Sequence, residues 1–206
     1  MNPICCIFGA STLDEHTKID IEAHSLVIAA DGGLIHLKRL EITPDVVIGD
    51  FDSLGYIPNL DNVIPYDSNK DDTDLMLAVK YGLEQGYRDF RIFGALGGRV
   101  DHTYSNIQTL KYLSLHGASG WLIDGKTRMT VISDTWLKFN SNQKGTVSVF
   151  TVGEKATGVD ICGLKYTLDD ACLVDSFPLG ISNELIGTDS QISVEDGSLL
   201  IIHIDE

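Results

Sequence analysis

The sequence is short of positive charge. Its 15 Lys and Arg residues stand against 30 Asp and Glu, which gives a formal net charge of -15 in 206 residues. Binding to nucleic acid or to an anionic membrane depends on cations that neutralise phosphates, so this balance argues against both partners. An anionic substrate would need local help from a metal ion or from a few well-placed cations. A cationic substrate would instead be attracted to the acidic surface.

Long hydrophobic runs are also missing, and none approaches the roughly 20 residues of a membrane-spanning helix. The apolar stretch near residue 1 is too short for the core of a signal peptide and has no basic flank, so we expect a cytoplasmic protein. The four cysteines form no Cys-x-x-Cys pair, which argues against a zinc site. Cys5 and Cys6 are adjacent in an apolar run, so as strand residues they should point to opposite faces as reduced, buried thiols.

In the first half of the chain, short apolar runs alternate with helical patterns. Continuous apolar runs are typical of parallel strands that are covered on both faces. The alternation therefore predicts an α/β domain with a three-layer parallel sheet at residues 1–123. The predicted strands lie at 4–8, 26–30, 46–48, 63–65, 90–93 and 121–123, and the predicted helices lie near 34–40, 73–85 and 102–116.

After about residue 124 the helical pattern does not return. Short β-rich runs follow, separated by glycine and asparagine, and they predict an all-β sandwich at residues 124–206. Asp196-Gly197, between the last two runs, is typical of a tight β-hairpin turn. The predicted strands lie at 130–132, 136–139, 146–152, 159–161, 171–174, 191–194 and 199–204.

Two acidic motifs occupy positions where a parallel sheet binds ligands, outside the carboxyl ends of its strands. Asp50-Phe51-Asp52 follows a predicted strand, and residues 70–74 (Lys-Asp-Asp-Thr-Asp) precede a predicted helix. Carboxylates one residue apart can both reach a hard divalent cation if the backbone turns between them. A solvated loop is the alternative for the first motif. Helix capping explains one or two acids of the second motif, but not four polar residues preceded by a lysine.

A third motif, residues 94–102 (Gly-Ala-Leu-Gly-Gly-Arg-Val-Asp-His), joins a predicted strand to a predicted helix. Backbone amides in such a loop can bind an anion, although the glycine spacing matches neither a Walker A loop nor a dinucleotide fingerprint. Arg99 can bind a phosphate through two hydrogen bonds. Asp101 can complete a metal shell or receive a proton, and His102 is either a structural residue or a participant in the chemistry. Together the three motifs indicate magnesium-dependent chemistry on a nucleoside triphosphate.

In this order and spacing, the motifs resemble those of the thiamine pyrophosphokinase family. The resemblance implies an N-terminal α/β domain, a C-terminal β-sandwich, and a homodimer with thiamine bound between subunits. It also implies that the thiamine hydroxyl attacks the β-phosphorus of ATP, with Mg²⁺ bound, to give thiamine diphosphate and AMP. The matching segments are residues 30–33 (Ala-Asp-Gly-Gly), 44–53, 70–74, 94–102 with Asn106, 163–166 (Gly-Leu-Lys-Tyr) and 180–184 (Gly-Ile-Ser-Asn-Glu).

The resemblance assigns roles to individual residues. The metal ligands would be Asp50, Asp52, Asp71 and Asp74, which with Arg99 and Asp101 form the predicted catalytic group. Asp101 would orient or deprotonate the attacking hydroxyl. Contacts with ATP would come from Asp31, Gly32, Gly33, Lys70, Thr73, Gly97, Gly98, His102 and Asn106. Ser182 and Asn183 match the loop that binds the thiamine pyrimidine, but no aromatic residue follows Ser182, so the residue that stacks on this ring is not identified.

Two other functions fit parts of the pattern. A haloacid-dehalogenase-type phosphohydrolase also uses Asp-x-Asp after a strand, but its motif has a threonine where this chain has Leu54. That family's motif also normally lies on the first strand of its domain, whereas Asp50 follows the third predicted strand. A nucleotide-sensing module would need the anion-binding loop but not so many acids. Conversion of ATP that requires magnesium would exclude the sensing module.

Overall fold

In the computed structural model, which describes residues 3–67, 69 and 71–206, the first half of the chain alternates strands and helices as predicted. Each predicted element of this half is present, with ends that shift by at most a few residues. The elements are β1 (Ile4–Phe8), β2 (Leu26–Ala30), α1 (Gly33–Arg39), β3 (Val46–Gly49), β4 (Val63–Pro65), α2 (Asp74–Glu84), β5 (Asp89–Phe93), α3 (Val100–Leu115) and β6 (Ser119–Asp124).

The second half consists of strands among the residues that the structure describes. One of them, at residues 180–184, was not predicted, because its mixture of polar residues shows no alternation. The strands are β7 (Thr127–Ser133), β8 (Trp136–Phe139), β9 (Thr146–Thr151), β10 (Lys155–Cys162), β11 (Leu168–Val174), β12 (Gly180–Glu184), β13 (Ser190–Ser193) and β14 (Ser198–Ile204).

A ten-stranded sheet runs through both halves in the order β12-β9-β14-β7-β6-β5-β1-β2-β3-β4. The six strands from β6 to β4 are parallel to one another. From the β6–β7 hairpin onward the pairs are antiparallel. The same sheet therefore crosses residue 123, where the first predicted domain ends, and the two domain boundaries stay predictions.

The two faces of the parallel strands are covered by different helices. Cys5 packs in the cluster that includes residues of α2 and α3, whereas Cys6 packs with Leu34 and Leu37 of α1 on the opposite face. Helices on both faces give the predicted three layers, and both thiols are free and buried, as predicted. Burial raises the pKa of the Cys5 thiol far above its usual range and raises that of Cys6 to about 11.

The antiparallel strands of the large sheet are also covered on both faces. Val131 of β7 faces the helical side of the sheet, and its neighbour Ile132 faces the other side. There Ile132 packs with residues of a four-stranded sheet, which has the order β11-β10-β13-β8. This pairing of sheets confirms the predicted fold class, an α/β part followed by a β-sandwich.

The hairpin predicted at Asp196-Gly197 is wrong. β13 pairs with β8 and β10, whereas β14 pairs with β7 and β9, so the two strands belong to different sheets. The reason is that Ile192 and Leu199, one from each strand, face the same core from opposite sides. The turn crosses between the sheets, and the Gly197 N–H donates a 2.9 Å hydrogen bond to a carboxylate oxygen of Asp134.

No helix in the described part of the chain combines the length and hydropathy needed to span a membrane.

Candidate active site

A cavity of about 840 Å³ opens at the carboxyl ends of the parallel strands. The chain leaves β1 toward β2 on one side, and later places β5 on the other side of β1. Connections that diverge in this way leave a crevice at the strand ends, where open α/β sheets bind their ligands. The cavity therefore lies where the order of the strands predicts a ligand site.

The cavity brings together most of the predicted residues of the α/β half. Asp71, Gly32, Gly33 and Gly97 are not among the described lining residues, and neither are Ser182 and Asn183. Lys70 lies outside the described residues. The predicted residues that line the cavity are Asp31, Asp50, Asp52, Thr73, Asp74, Gly98, Arg99, Asp101, His102 and Asn106.

Three of the lining acids form a tight cluster. One carboxylate oxygen from each of Asp31, Asp50 and Asp74 lies within 4.8 Å of the other two. Asp31 is 5% exposed, and its Oδ1 has no hydrogen-bond partner within the described residues. A buried carboxylate oxygen without a partner, next to two further carboxylates, suits an oxygen-binding divalent cation. Asp31 was predicted as a nucleotide contact and not as a metal ligand.

The backbone turns sharply at two positions to form this cluster. Asp31 has φ = 47° and Phe51 has φ = 63°, a region that non-glycine residues rarely occupy. The turn at Phe51 lies between Asp50 and Asp52, and the Asp52 N–H donates a 3.1 Å hydrogen bond to Asp50 Oδ1. Strained backbone of this kind often occurs at functional sites, where the surrounding structure holds it in place.

The start of α2 supplies the third acid of the cluster. Thr73 caps the helix, because its hydroxyl oxygen accepts a 3.2 Å hydrogen bond from the Met76 N–H. Asp74 is the first residue of the helix and enters the cluster. Asp72 also lines the cavity and accepts a 2.6 Å hydrogen bond from Lys80 Nζ. The neighbour of the predicted ligand Asp71, Asp72, therefore lines the cavity.

The loop after β5 forms another wall of the cavity. Gly97 and Gly98 have φ values of 73° and 64°, which explains the need for glycine there. Asn106, a buried residue of α3, donates a 2.7 Å hydrogen bond from Nδ2 to the carbonyl oxygen of Ala95. This bond holds the loop against the helix that follows it. Asn106 therefore supports the loop as well as lining the cavity.

Arg99 and Asp101 pair with each other at the mouth of the cavity. Arg99 Nη2 lies 2.5 Å from Asp101 Oδ2, and Arg99 Nε lies 3.1 Å from Asp101 Oδ1. This bidentate hydrogen bonding lowers the pKa of Asp101 to about 2 and raises the pKa of Arg99. Both side chains are exposed, so a phosphate group could compete with the carboxylate for Arg99.

Sequence reasoning missed the loop that follows β1. Gly9, Ala10, Ser11 and Thr12 line the cavity although none of them carries a charge. The Ser11 N–H donates a 2.9 Å hydrogen bond to the carbonyl oxygen of Gly94, which joins this loop to the loop after β5. The available signal was the position of β1 between its two parallel neighbours, since the loop after such a strand borders the crevice.

Gly33 packs beneath the cavity. A Cβ added there would lie 1.8 Å from the carbonyl oxygen of Phe8, so only glycine allows α1 to begin this close to β1. Gly32 has a less severe restriction, because its Cβ would lie 3.0 Å from the Cβ of Ala10. These contacts are with the protein itself, and nucleotide binding by either glycine stays a prediction.

Ser182 and Asn183 lie in β12, at the opposite edge of the ten-stranded sheet. Asn183 is buried, and its side chain is bonded to the backbone of Tyr166: Oδ1 accepts from the Tyr166 N–H at 2.9 Å, and Nδ2 donates to the Tyr166 carbonyl oxygen at 2.6 Å. The Tyr166 side chain itself is 60% exposed. Asn183 thus holds the backbone of an exposed aromatic residue, a neighbour of β12 that the sequence alone did not reveal.

Comparison with known proteins accounts for both halves of the chain. Residues 18–119 match the family model described as thiamin pyrophosphokinase, catalytic domain. Residues 135–199 match the model described as thiamin pyrophosphokinase, vitamin B1 binding domain. These two segments correspond to the α/β part and to most of the β-sandwich.

Similar proteins of known name agree with the family models. Thiamine pyrophosphokinase of Bacillus subtilis (strain 168) is 30% identical over 188 residues, which cover 88% of each protein. Thiamin pyrophosphokinase 1 of Caenorhabditis elegans is 27% identical over 191 residues, covering 86% of this chain and 78% of the relative.

A solved structure of thiamine pyrophosphokinase from Bacillus subtilis superposes with a TM-score of 0.87 at 28% identity, covering 98% of this chain and 99% of the other. The structure of thiamin pyrophosphokinase from Geobacillus thermodenitrificans gives a TM-score of 0.84 at 27% identity and 98% coverage of both chains. Nothing in these similarities supports the dehalogenase-type phosphohydrolase. The chain belongs to the thiamine pyrophosphokinase family, whose members are transferases.

Proposed function

We propose that this chain transfers the pyrophosphoryl group of ATP to the hydroxyl of thiamine, in a reaction that requires Mg²⁺. The observation that carries the proposal is the convergence of Asp31, Asp50 and Asp74 in a cavity that Arg99 and a glycine loop also line. Transfer of a phosphoryl or pyrophosphoryl group depends mainly on positioning and on neutralisation of negative charge. A cavity with these walls can supply both.

Asp31, Asp50 and Asp74 would hold the metal ion, with Asp52 on the same wall of the cavity. The buried Oδ1 of Asp31 supports this set, because a cation would give that oxygen the partner it lacks among the described residues. When bound, the ion would neutralise charge on the triphosphate. Asp71 was predicted as a ligand, but we favour Asp31 in its place, since Asp31 belongs to the cluster.

Arg99 and Asp101 would change partners when ATP binds. The guanidinium that pairs with Asp101 can bind a phosphate with the same two-pronged geometry. While paired, Asp101 is a weak base, because its pKa is about 2. Once Arg99 turns to the phosphates, the Asp101 carboxylate is available to accept a hydrogen bond from the attacking hydroxyl. Asp101 would therefore be placed to orient the hydroxyl.

The thiamine site would lie near Ser182, beside the exposed Tyr166. A ring in this position can stack on the thiamine pyrimidine, and it supplies the aromatic partner that the sequence after Ser182 lacks. The acidic surface of the chain would also favour the cationic thiazolium ring. Asn183 would contribute by holding Tyr166 in place.

The separation between the two sites supports a homodimer. β12 is five strand spacings from β5, the nearest strand whose end borders the cavity. At about 4.8 Å per spacing, this amounts to about 24 Å along the sheet, too far for thiamine bound at Ser182 to reach ATP in the same chain. A second copy of the chain could bring its β12 to the cavity. A shared site in a homodimer therefore fits the proposed reaction, and a cytoplasmic location stays a prediction.

The deciding experiment is to incubate the purified protein with ATP, Mg²⁺ and thiamine. The products are separated by nucleotide chromatography and identified by phosphorus NMR and thiochrome fluorescence. We expect AMP and thiamine diphosphate in equal amounts, and no turnover when Mg²⁺ is chelated. ADP with thiamine monophosphate, or ATP consumption that does not depend on thiamine, would contradict the proposal. Binding of ATP without conversion would favour the nucleotide-sensing module.

A further inference from the structure

We infer that Asp124, the last residue of β6, is a positioning residue for the nucleotide site. It acts through the β1–β2 loop, residues 9–25, whose first four residues line the cavity. The inference rests on the proposed function, because it takes ATP as the ligand of this cavity. Asp124 belongs to none of the motifs predicted from the sequence, and it lies between the segments that match the two family models.

The near end of the β1–β2 loop is fixed to the α/β core. The Ser11 N–H donates to the Gly94 carbonyl oxygen at 2.9 Å. On its other side, the carbonyl oxygen of Ser11 lies 2.7 Å from His36 Nε2. A carbonyl oxygen can only accept, so His36 donates from Nε2. Both backbone groups of Ser11 are therefore occupied, and its side chain is the polar group that it can offer to a ligand in the cavity.

The middle of the loop is fixed by Asp124. Its Oδ1 accepts a 2.8 Å hydrogen bond from the Asp14 N–H and a 3.4 Å contact from the Thr17 hydroxyl. The Thr17 hydroxyl oxygen in turn accepts a 2.7 Å hydrogen bond from the Gly125 N–H. These bonds join residues that are more than 100 positions apart in the sequence, so the loop is attached to the start of the second half of the chain.

Thr12 lies between these two attachments and touches the glycine loop. Its Oγ1 lies 3.2 Å from the position that a Cβ of Gly97 would occupy. The next residue, Leu13, is buried in the cluster on the α1 side of the sheet. Loss of Asp124 would release the loop from Asp14 onward and leave Leu13 as the attachment on that side of Thr12, which borders both the cavity and the loop proposed to bind phosphates.

Asp124 is not among the described residues that line the cavity, so it has no direct contact with the ligand there. Its effect must pass through the position of the loop. A shift of the β1–β2 loop would weaken the binding of ATP. It would affect the reacting groups less, because they lie on other elements. The expected signature is a raised KM for ATP with little change in kcat and no change in the KM for thiamine.

The test compares steady-state kinetics and ATP-binding calorimetry for the native protein, Asp124→Ala, Asp124→Asn and Asp134→Ala. We expect Asp124→Ala to raise the KM and the Kd for ATP about fivefold, as loss of this anchoring hydrogen bond would. Asp124→Asn keeps an acceptor oxygen at the same place and should stay within about twofold of the native values. Asp134→Ala is the matched control, because Asp134 also accepts a backbone N–H bond in a turn, from Gly197, far from the loop.

A folded Asp124→Ala protein with native KM and Kd for ATP would overturn the inference. So would an equal rise in Asp134→Ala, which would indicate a general loss of stability. If Asp124→Ala does not fold, Thr17→Val gives the test, since it removes the hydroxyl that bonds the loop to both Asp124 and Gly125. It should raise the same two constants. A native protein that binds ATP without converting it leaves the calorimetric test in force, whereas a native protein that neither binds nor converts ATP overturns the proposed function itself.

Discussion

The two halves of the ten-stranded sheet build their sites in different ways. In the parallel half, β2 and β3 finish at the same end of the sheet, so Asp31 and Asp50 meet although they are 19 positions apart in the chain. In the antiparallel half, neighbouring strands end at opposite ends of the sheet, and among the described residues no such acidic cluster lies there. There the candidate residues Ser182 and Asn183 lie within a strand, at a register shift where Ser182 has a φ of 56°. Ser182 is exposed and Asn183 is buried.

The largest expected effect comes from removing a charge at the carboxyl ends of the parallel strands. We expect Asp31→Asn and Asp50→Asn each to lower kcat at least about 100-fold, because metal binding needs the carboxylates. Asp31→Asn should also keep or raise the unfolding temperature, since it removes one of three clustered negative charges. The exposed Asp61, changed to Asn, is the control for a lost surface charge. Near-native turnover of either variant at saturating Mg²⁺ would contradict the proposed ligand set.

The next test concerns the tight packing between the start of α1 and the end of β1. Gly33→Ala places a methyl group 1.8 Å from the Phe8 carbonyl oxygen, a contact that only backbone movement can relieve. We expect a loss of about 3 kcal/mol in the free energy of unfolding, measured by urea denaturation. Gly117→Ala, also at a helix end but with open space around the added atom, should cost only about 1 kcal/mol. Equal losses would mean that the contact with Phe8 is relieved at little cost and does not set the requirement for glycine at position 33.

A test of the antiparallel half targets the exposed tyrosine. We expect Tyr166→Ala to raise the KM for thiamine about tenfold, with the KM for ATP unchanged, because stacking on the pyrimidine would be lost. Tyr166→Phe keeps the ring and should behave like the native protein. Trp136→Ala removes another exposed aromatic side chain of this half and serves as the control. A native KM for thiamine in Tyr166→Ala would contradict the proposal that Tyr166 stacks on the pyrimidine.

The smallest expected effect is the titration of Asp101. Pairing with Arg99 lowers the pKa of Asp101 to about 2 from its ordinary value of 3.8, so any stability that it provides is present above pH 3.8 and is lost as the pH falls through about 2. Carboxyl-carbon NMR of the folded protein should find this low value, and Arg99→Ala should return the pKa toward 3.8. The same titration midpoint in both proteins would show that Arg99 is not the cause.

Local sequence was sufficient to predict most of the fold. The apolar runs of β1 to β6 and the helical spacing of α2 and α3 each reflect burial of the element itself, so they are visible in a short window. The position of Asp196-Gly197 in a turn was correct, but the pairing of the flanking strands depends on which sheet each one joins. That choice is made by contacts across the core, between residues such as Ile192 and Leu199.

The sequence predicted the charged residues of the site, but not the residues that enter the site only because of the fold. Asp50, Asp74 and Arg99 carry charges at predicted strand and helix ends, and they line the cavity. The uncharged loop at residues 9–12 enters the cavity because β1 is a central strand, a fact of strand order that no local motif records. Likewise, Tyr166 is 17 positions from Asn183, and only the folded chain, through the bridge between Leu164 and Leu185 and the bond to Asn183, shows that the two are neighbours.

The reactivity of the adjacent thiols in β1 can be used to measure how often the centre of the sheet opens. Cys5 and Cys6 are fully buried, β1 is flanked by β2 and β5, and raised pKa values keep both sulfurs in the unreactive thiol form. Cys162 and Cys172, in contrast, are exposed. An alkylating reagent should therefore modify two cysteines at once and the other two only as fast as the sheet separates. The slow phase would time global unfolding of the native protein without denaturant.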